Sequence, residues 1–408
     1  VITGAPPQGL AVLRAFRTNV LKLWPDEAYE CDAQLHSFLG RRVMLLNAPD
    51  AIHRVLVENE ENYRRSPLRV RLLRPVVGNG LLLSEGQAWR HQRRTAAPAF
   101  TPRGLPILMP HIAAALQEGV ASLAALKEPL VDIFETVQRW AADISGRSMF
   151  SLEMATYGAE MRRLARYYVR RLARPYLLDA VLPLDLKSPH DYARARFSKR
   201  WMGLLERMIA RRLAVPDTDA PRDLLDLLRE ARDAETGNGF SREQLRDQVA
   251  TMLVAGHETT SVAMFWSLYL LASVPFVQES VADEVRHLDL SPARAADSLS
   301  RLPYTRAVIS EALRLYPPAF MIVREAIGAD RCGTSEVPKG ATVLIAPWVL
   351  GRHRRYWYDP HAFDPERFTA GAPAVPRFAY LPFGVGPRVC IGAQFAMAMA
   401  VIVVAGLV

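Results

Sequence analysis

A single long helix is predicted in the middle of the chain, from about Ser241 to Ser273. Ser241 is a suitable N-cap, Gln244 stands at the third helical position to complete a capping box, and Pro275 stops the helix. At about 1.5 Å per residue the helix is roughly 50 Å long, enough to cross a large domain. Because it is apolar nearly all round, it must be buried on most sides. The chain therefore has to build a large core around this helix.

The centre of the predicted helix is polar, although both of its flanks are apolar. His257, Glu258 and Thr259 would be costly in lipid, so a transmembrane span is rejected. Gly256 leaves room for a bulky group against the helix. The Thr259 hydroxyl can bond a carbonyl three or four residues earlier and open the helix locally, which would hold water beside Glu258. The alternative, a polar stripe that faces solvent, fits the apolar flanks poorly.

Length and composition predict one large domain over residues 1–408, mainly α with a small β portion. The chain has 408 residues, half of them hydrophobic, and no linker, repeat or low-complexity block divides it. Its formal charge of +9 would suit nucleic acid, an anionic membrane surface or an acidic protein. No polybasic tail and no basic–aromatic pattern is present, so nucleic acid is not predicted as a partner.

The cysteines and the N-terminal sequence predict a reducing compartment. Cys31, Cys332 and Cys390 are the only cysteines, which excludes a disulfide scaffold and a four-cysteine zinc site on count. No apolar run of 18 residues follows the N-terminus, so neither a membrane anchor nor a secretory signal is expected. Together these features favour the cytoplasm.

One cysteine stands in a loop rich in glycine and proline that leads into an apolar helix near the C-terminus. The loop runs Phe383-Gly-Val-Gly-Pro-Arg-Val-Cys390-Ile-Gly392. Its glycines let the backbone pass close to a flat cofactor and turn amides toward the sulfur, and Arg388 can pair with a carboxylate of that cofactor. The alternative is a buried cysteine in an ordinary loop.

The pattern Phe-x-x-Gly-x-Arg-x-Cys-x-Gly resembles the haem-binding signature of the cytochromes P-450, and the resemblance runs from about residue 40 to the end. Further motifs occur in the order and rough spacing of that family: Trp89-x-x-x-Arg93, Ala255-Gly-His-Glu-Thr-Thr260, Glu311-Ala-Leu-Arg314 and Pro365-Glu-Arg-Phe368. The resemblance implies a cytochrome P-450 fold, with haem b (iron protoporphyrin IX) between the long central helix and the helix that follows the cysteine loop.

The resemblance also implies roles for individual residues. Cys390 would be the axial thiolate of the haem iron, within the loop bounded by Phe383 and Gly392. Gly256 would lie against the cofactor, while Thr259 and Glu258 would deliver protons during oxygen activation. The haem propionates would be held by four residues: Trp89, Arg93, Arg324 and Arg388. A buried triad of Glu311, Arg314 and Arg367 would lock the core beside the cysteine loop.

The implied activity is that of a monooxygenase, which inserts one atom of O2 into a small apolar organic substrate. The two electrons would come from a separate acidic ferredoxin or flavin-type donor, because no nicotinamide or flavin motif occurs in the chain. Basic residues at 90–94, at 352–355 and at Arg377 and Arg388 could receive that partner. A haem protein without oxygenase chemistry, a peroxide-using enzyme of the same family, and an isomerase or dehydratase on the same fold are the alternatives.

Four stretches would wall the substrate pocket in the family: Leu68–Leu83, Leu172–Leu186, Met252–Thr260 and Ala319–Val323. They are rich in apolar residues, which suits an apolar substrate. Arg69, Arg71 and Arg74 punctuate the first stretch and either receive a substrate carboxylate or face solvent. The chain ends 18 residues after Cys390, inside the apolar stretch Phe395–Val408, so the usual C-terminal strands are expected to be lacking.

Overall fold

The computed structural model describes residues 14–15, 18–38, 40–127, 130–151, 157–176, 178–179, 182–216 and 220–408. The helices are α1 (Pro49–His53), α2 (Pro67–Val77), α3 (Gly86–Ala96), α4 (Leu105–Ala124), α5 (Ile133–Phe150), α6 (Gly158–Tyr167), α7 (Pro189–Leu213), α8 (Leu224–Glu230), α9 (Arg242–Ser273), α10 (Pro275–Val285), α11 (Ala295–Leu299), α12 (Pro303–Leu315), α13 (Pro347–Leu350) and α14 (Ala393–Ala405). The prediction of a mainly helical chain is confirmed.

Within the described ranges, seven short strands form the predicted β portion. They are β1 (Ala33–Phe38), β2 (Arg41–Leu46), β3 (Tyr63–Arg65), β4 (Ile322–Ala326), β5 (Asp330–Cys332), β6 (Ser335–Val337) and β7 (Thr342–Ile345). One sheet has the order β1-β2-β7-β4-β3, in which only β2 and β7 pair in parallel, and β5 and β6 form a separate hairpin. Strands from both ends of the chain therefore lie side by side, and β3 brings Arg65 directly opposite Arg324 of β4.

The long central helix is confirmed as α9, which runs from Arg242 to Ser273. Ser241 caps it, and the side chains of Ser241 and Gln244 form the predicted capping box. Pro275 begins α10 after a bend of 113°. The local opening predicted beside Thr259 does not occur, because α9 stays helical without interruption over its whole length.

Helix α9 crosses the centre of the fold and is packed on most sides. It contacts α2, α5, α7, α12 and α14. Its first half belongs to one large apolar cluster through Val249 and Leu253, and its second half belongs to another through Met264 and Leu271. Because burial of apolar surface is the dominant favourable term in folding, these contacts around α9 stabilise the core.

One helix of the described chain, α4, is long and apolar enough to cross a membrane, and the bent pair α9 and α10 passes the same test when taken together. Both observations rest on length and composition only. Within the fold, α4 packs against α5 and α14 and buries Leu108, Met109 and Ile112 in the core. It therefore serves here as a core helix.

Candidate active site

The loop before α14 holds Cys390 in a fixed backbone turn. The Cys390 amide donates to the Phe383 carbonyl at 2.9 Å, and the Val389 amide donates to the Gly386 carbonyl at 3.0 Å. Gly386 has φ +76°, and a Cβ at this position would lie 2.1 Å from the carbonyl oxygen of Leu56. Only glycine meets both requirements, so the loop is held against the segment that follows α1.

Cys390 lies in a recess that remains accessible. Its side chain is exposed, yet the surrounding protein raises the pKa of the thiol through desolvation, while the Gly392 backbone amide and the charge of Arg93 act in the opposite direction. Cys31 is half-buried, and Cys332 is buried beside the Tyr63 hydroxyl. Of the three cysteines, Cys390 alone offers an open sulfur for a ligand.

The midpoint of α9 presents an open face in an otherwise buried helix. Ala255, Glu258 and Thr259, spaced as neighbours on one helix face, are all exposed. A Cβ on Gly256 would meet nothing within 4 Å, so open space lies against the backbone there. The Thr259 hydroxyl donates to the Ala255 carbonyl at 2.5 Å, as the sequence predicts.

His257 belongs to a different side of α9. Its Nε2 lies 3.0 Å from the Gln138 carbonyl of α5, and burial lowers the pKa of the imidazole. A neutral ring that donates to this carbonyl fits both observations. His257 therefore joins α9 to α5 and does not line the open face.

Helix α14, which follows the Cys390 loop, packs directly against α9. Ile391, next to the cysteine, packs in the same apolar cluster as Leu253, which lies two residues before Ala255. Phe395, in the first turn of α14, packs against both large clusters. The fold thus brings together the two motifs that the sequence places more than a hundred residues apart.

Helix α3 supplies two of the predicted cofactor residues, and both contact the cysteine loop. The Arg388 guanidinium stacks on the Trp89 ring at 4.3 Å from its centroid, and Arg93 donates to the Val389 carbonyl at 2.9 Å. Trp89 is buried, and burial lowers the pKa of Arg93. The shared helix face predicted for Trp89 and Arg93 therefore points toward the loop.

Arg388 already has carboxylate partners within the chain. It donates to a Glu85 carboxylate oxygen at 2.5 Å and to the Ser84 carbonyl at 3.1 Å, and it lies 3.8 Å from Glu60. Burial nevertheless lowers its pKa. The prediction that Arg388 pairs with a cofactor carboxylate stays a prediction, with Glu85 as a competitor for the same guanidinium.

Arg324 lies on β4, as predicted, and Arg65 on β3 is its cross-strand partner, which the sequence reasoning missed. Both guanidiniums are desolvated and lie close to other positive charges. Desolvation, with Arg388 and Arg69 nearby, lowers the pKa of Arg324 to about 10, and the pKa of Arg65 falls well below its usual range. The Arg65 Nε–H is buried without a hydrogen-bond partner among the described residues. No motif marks Arg65, and only the strand register reveals it.

The predicted scaffold triad is present. Arg314 donates two hydrogen bonds of 2.6 Å to the carboxylate of Glu311, and both side chains are fully buried. The Arg367 Nε lies 3.5 Å from Glu311, within ion-pair distance although it forms no hydrogen bond. Arg314 also donates to the carbonyls of Gly351, Pro360 and Ala362. These contacts join α12 to the long segment that leads into the cysteine loop.

Part of the predicted basic docking surface is not a free surface. Arg352 and His353 are buried, and Arg352 stacks on the Trp348 ring. Arg354 pairs with Glu30, and Arg355 pairs with Asp32 at 2.8 Å. Arg352 and His353 are thus held inside the fold, whereas Arg354 and Arg355 are exposed but engaged in ion pairs.

Two predicted substrate walls are joined by Arg71, which neither faces solvent nor is free for a carboxylate. Its guanidinium is buried and donates to the carbonyls of Pro183 and Leu186, the latter at 2.8 Å. The wall predicted at 172–186 includes residues 177 and 180–181, which lie outside the described residues. Arg74 is exposed at the last turn of α2.

The residues at the midpoint of α9, in the cysteine loop and on β3 and β4 fit a haem group. A flat molecule needs open space against α9, which Gly256 provides, and an accessible sulfur, which Cys390 provides. Two propionates need cations that the chain leaves without carboxylates. Among the described residues, no carboxylate forms an ion pair with Arg65 or Arg324, and the buried Nε–H of Arg65 is an unsatisfied donor.

Comparison with known proteins agrees with this geometry. The family model described as Cytochrome P450 matches residues 34–408. The chain is 33% identical to cyclooctatin synthase of Streptomyces melanosporofaciens over 90% of this chain and 80% of that protein. It is 34% identical to cyclooctat-9-en-7-ol 5-monooxygenase of the same organism, over 81% of this chain and 72% of that protein.

A solved structure has the same fold. The crystal structure of the cytochrome P450DA heme domain superposes with a TM-score of 0.80 at 25% identity, and the match covers 98% of this chain and 87% of that one. The family match spans nearly the whole chain. It includes the cysteine loop, the open face of α9 and the triad of Glu311, Arg314 and Arg367. The chain belongs to the cytochrome P450 family and is a cytochrome P450 monooxygenase.

Proposed function

We propose that this enzyme uses haem b, with Cys390 as the axial ligand, to insert one atom of O2 into a mainly apolar organic molecule. The observation that carries the proposal is the open face of α9, where Glu258 and Thr259 are exposed on a helix that packs against α14, the helix after the exposed Cys390. When bound, a haem with a thiolate ligand supplies the redox chemistry that cleaves the O–O bond.

The residues of the chain hold the cofactor and move protons. Trp89 and Arg93 brace the cysteine loop from α3, and Arg65 and Arg324 offer desolvated cations to the propionates. Arg388 would share its guanidinium between Glu85 and a propionate.

Proton delivery falls to Thr259 and Glu258. Because the Thr259 hydroxyl donates to the Ala255 carbonyl, its oxygen is free to accept a hydrogen bond from the open side. The exposed Glu258 carboxylate can exchange protons with water and so replace protons that are delivered beside Thr259. A haem protein without oxygenase chemistry would not need this acid–alcohol pair.

The electrons would come from a separate acidic ferredoxin or flavin-type donor. Arg90, Arg94 and Arg388 are partly engaged by Glu61, Asp233 and Glu85, so the docking surface would depend on Arg377, which is exposed and stacks on Phe378. Three unpaired cysteines fit a reducing cytoplasm as the place of action.

The apolar character of the substrate is supported by the walls of the pocket and by two relatives. Val70, Leu172, Leu253 and Val323 from the predicted walls are buried apolar residues. The names of the Streptomyces relatives describe a synthase and a monooxygenase of cyclooctatin compounds. An isomerase or dehydratase on the same fold would keep Cys390 but would have no use for an exposed acid beside an alcohol.

The test compares the wild-type enzyme with Thr259→Ala. The reduced wild-type protein should give the strongly red-shifted Soret band of a thiolate-ligated haem with carbon monoxide, and the variant should keep this spectrum. In the variant, oxygen consumption should continue while peroxide rises and the yield of oxygenated product falls about tenfold or more. Unchanged coupling in Thr259→Ala would refute the role in proton delivery, and a Soret band typical of a neutral ligand would refute the thiolate.

A further inference from the structure

Three arginines beside β3 and β4 carry more positive charge than the chain neutralises. Arg65 and Arg324 are register partners on these strands, and Arg69 lies four residues after Arg65, in the first turn of α2. Among the described residues, no carboxylate forms an ion pair with any of the three. Arg69 is close enough to lower the pKa of both Arg65 and Arg324.

Two haem propionates account for two of these guanidiniums. Arg65 and Arg324 are the pair suited to them, because they lie side by side and Arg324 is also strongly influenced by Arg388 of the cysteine loop. The third guanidinium, that of Arg69, remains. Its hydrogen bond within the described chain is a long one of 3.3 Å from Nη1 to the Met321 carbonyl, so most of its N–H donors are unused.

Arg69 lies where two of the predicted substrate walls meet. It stands on α2, and the Met321 carbonyl that it contacts belongs to the segment 319–323. Its side chain is accessible, yet enough protein surrounds it for desolvation to lower its pKa. The guanidinium therefore contacts the segment 319–323 and is still accessible to a ligand.

The other two arginines of α2 are differently engaged, which singles out Arg69. Arg71 is buried, its Nη2 donates to the carbonyls of Pro183 and Leu186, and its Nε lies 3.8 Å from an Asp191 carboxylate oxygen. Arg74, in the last turn, is exposed. Next to Arg69, Val70 is buried and Leu73 packs on the same apolar cluster. Of the three arginines of α2, Arg69 is thus the one that is accessible and also contacts a second predicted substrate wall.

We propose that Arg69 binds the anionic end of the substrate, so that the preferred substrates are apolar molecules that carry a carboxylate. This inference rests on the proposed function, because it assigns the ligand class of the same pocket. The apolar part of the substrate packs against the walls by shape. The Arg69 guanidinium fixes the position of the substrate in the pocket by a charge-assisted hydrogen bond to its carboxylate.

The experiment uses decanoic acid and 1-decanol as a matched pair of probes on the haem-loaded enzyme. Binding is measured by calorimetry and by the shift of the Soret band, in the wild type, Arg69→Gln, Arg69→Lys and Arg74→Gln. The wild type should bind the acid about tenfold more tightly than the alcohol, and Arg69→Gln should lose about ten- to a hundredfold in affinity for the acid alone. Arg69→Lys should recover part of the loss, and Arg74→Gln should behave as the wild type.

Haem content and the carbon monoxide spectrum separate this inference from the proposed function. If the wild type lacks the thiolate spectrum, the proposed function fails, whereas calorimetric preference for the acid still reports on Arg69. Equal binding of acid and alcohol by the wild type would overturn the inference. So would an Arg69→Gln variant that loses haem but keeps the preference for the acid, since Arg69 would then hold a propionate.

Discussion

Arg65 and Arg324 lie directly opposite each other on antiparallel strands, and both guanidiniums are desolvated. Like charges across a strand pair destabilise a sheet, and neither arginine has a carboxylate partner among the described residues. An anion that binds between them removes this repulsion and satisfies the buried donors. We therefore expect this pair of arginines to bind the two propionates of the haem.

Replacing Arg65 by Gln should accelerate haem loss. The change removes one charge-assisted hydrogen bond to a propionate, worth about 1.5–3 kcal/mol, so haem affinity should fall roughly ten- to a hundredfold. The measurement is the rate of haem transfer to an excess of apomyoglobin at neutral pH.

Arg64→Gln is the matched control for this experiment. Arg64 is the neighbouring residue on β3, but its side chain is exposed and pairs with Glu325. Haem transfer from Arg64→Gln should proceed at the wild-type rate. If both variants release haem equally fast, the faster release comes from a disturbed strand β3 and not from loss of the Arg65 charge. The assignment of Arg65 to a propionate would then be wrong.

Arg314→Lys should fail to accumulate as a haem-loaded protein, despite keeping the charge. A lysine cannot reproduce the two parallel hydrogen bonds to Glu311 together with the bonds to three carbonyls. Breaking a buried ion pair leaves an uncompensated charge at a cost of about 3–5 kcal/mol. Glu311→Ala and Arg314→Ala should likewise lose haem.

Arg306→Lys, on the same helix α12, provides the comparison. Arg306 is half-buried, and no ion pair of its side chain is found in the described chain. Haem content and thermal midpoint of each purified variant are measured. Arg306→Lys should match the wild type, and an Arg314→Lys protein with full haem and an unchanged midpoint would contradict the proposed locking role.

Asp330 should make the stability of the fold sensitive to acid. Burial alone would raise its pKa, but hydrogen bonds from Arg54, Asn59 and Tyr63 outweigh desolvation and hold the pKa at about 2, below the ordinary 3.8. Because the folded-state pKa is depressed, the stabilisation is complete above the unfolded-state pKa and is lost as the pH falls through about 2.

Asp330→Asn should therefore be less stable than the wild type at pH 7 and should approach it as the pH falls below about 4. The measurement is the thermal midpoint by circular dichroism at several pH values. Asp283→Asn is the control, since Asp283 forms an exposed ion pair with Arg286 and should change the midpoint little at any pH. If the difference in thermal midpoint between Asp330→Asn and the wild type does not vary with pH, the titration of Asp330 does not contribute to the stability of the fold.

Local signals in the sequence predicted much of this fold, and pairings between distant segments account for what they missed. The capping box of Ser241 and Gln244 and the stop at Pro275 delimit α9 correctly, because both depend on residues next to each other in the chain. The i, i+3 spacing of Glu311 and Arg314 predicts their pairing on α12 in the same way, whereas Arg367 was assigned to the triad only through the family resemblance. Arg65 escaped notice because its role depends on a register with β4, more than two hundred residues away.

Charge was the least predictable property. The residues 352–355 are basic in the sequence, yet each of the three arginines has a partner in the fold. Arg352 stacks on Trp348, Arg354 pairs with Glu30 and Arg355 pairs with Asp32. The sequence does not distinguish Arg69, Arg71 and Arg74 from one another. In the fold, Arg71 is buried, Arg74 is exposed, and Arg69 contacts the segment 319–323. Such differences arise from tertiary contacts, which residue type and local spacing do not contain.

Two glycines with nearly the same backbone conformation allow the cysteine loop to be tested against a matched position. Gly386 has φ +76° and Gly340 has φ +77°, but a Cβ would meet the Leu56 carbonyl at 2.1 Å in the first case and open space in the second. Alanine at either position should cost about 1–2 kcal/mol for the left-handed backbone. Only Gly386→Ala adds a clash with rigid backbone.

Gly386→Ala should therefore displace the loop of Cys390, whereas Gly340→Ala should only lower the thermal midpoint by a few degrees. The carbon monoxide spectrum of the reduced protein distinguishes the two effects, since it reports on the bond between the thiolate and the iron. Gly340→Ala should keep the thiolate spectrum, and Gly386→Ala should lose haem or show the band of a neutral ligand. Equal spectra and equal midpoints for the two variants would mean that the contact with Leu56 does not hold the loop, and the position of Cys390 would then depend on α3 and α14 instead.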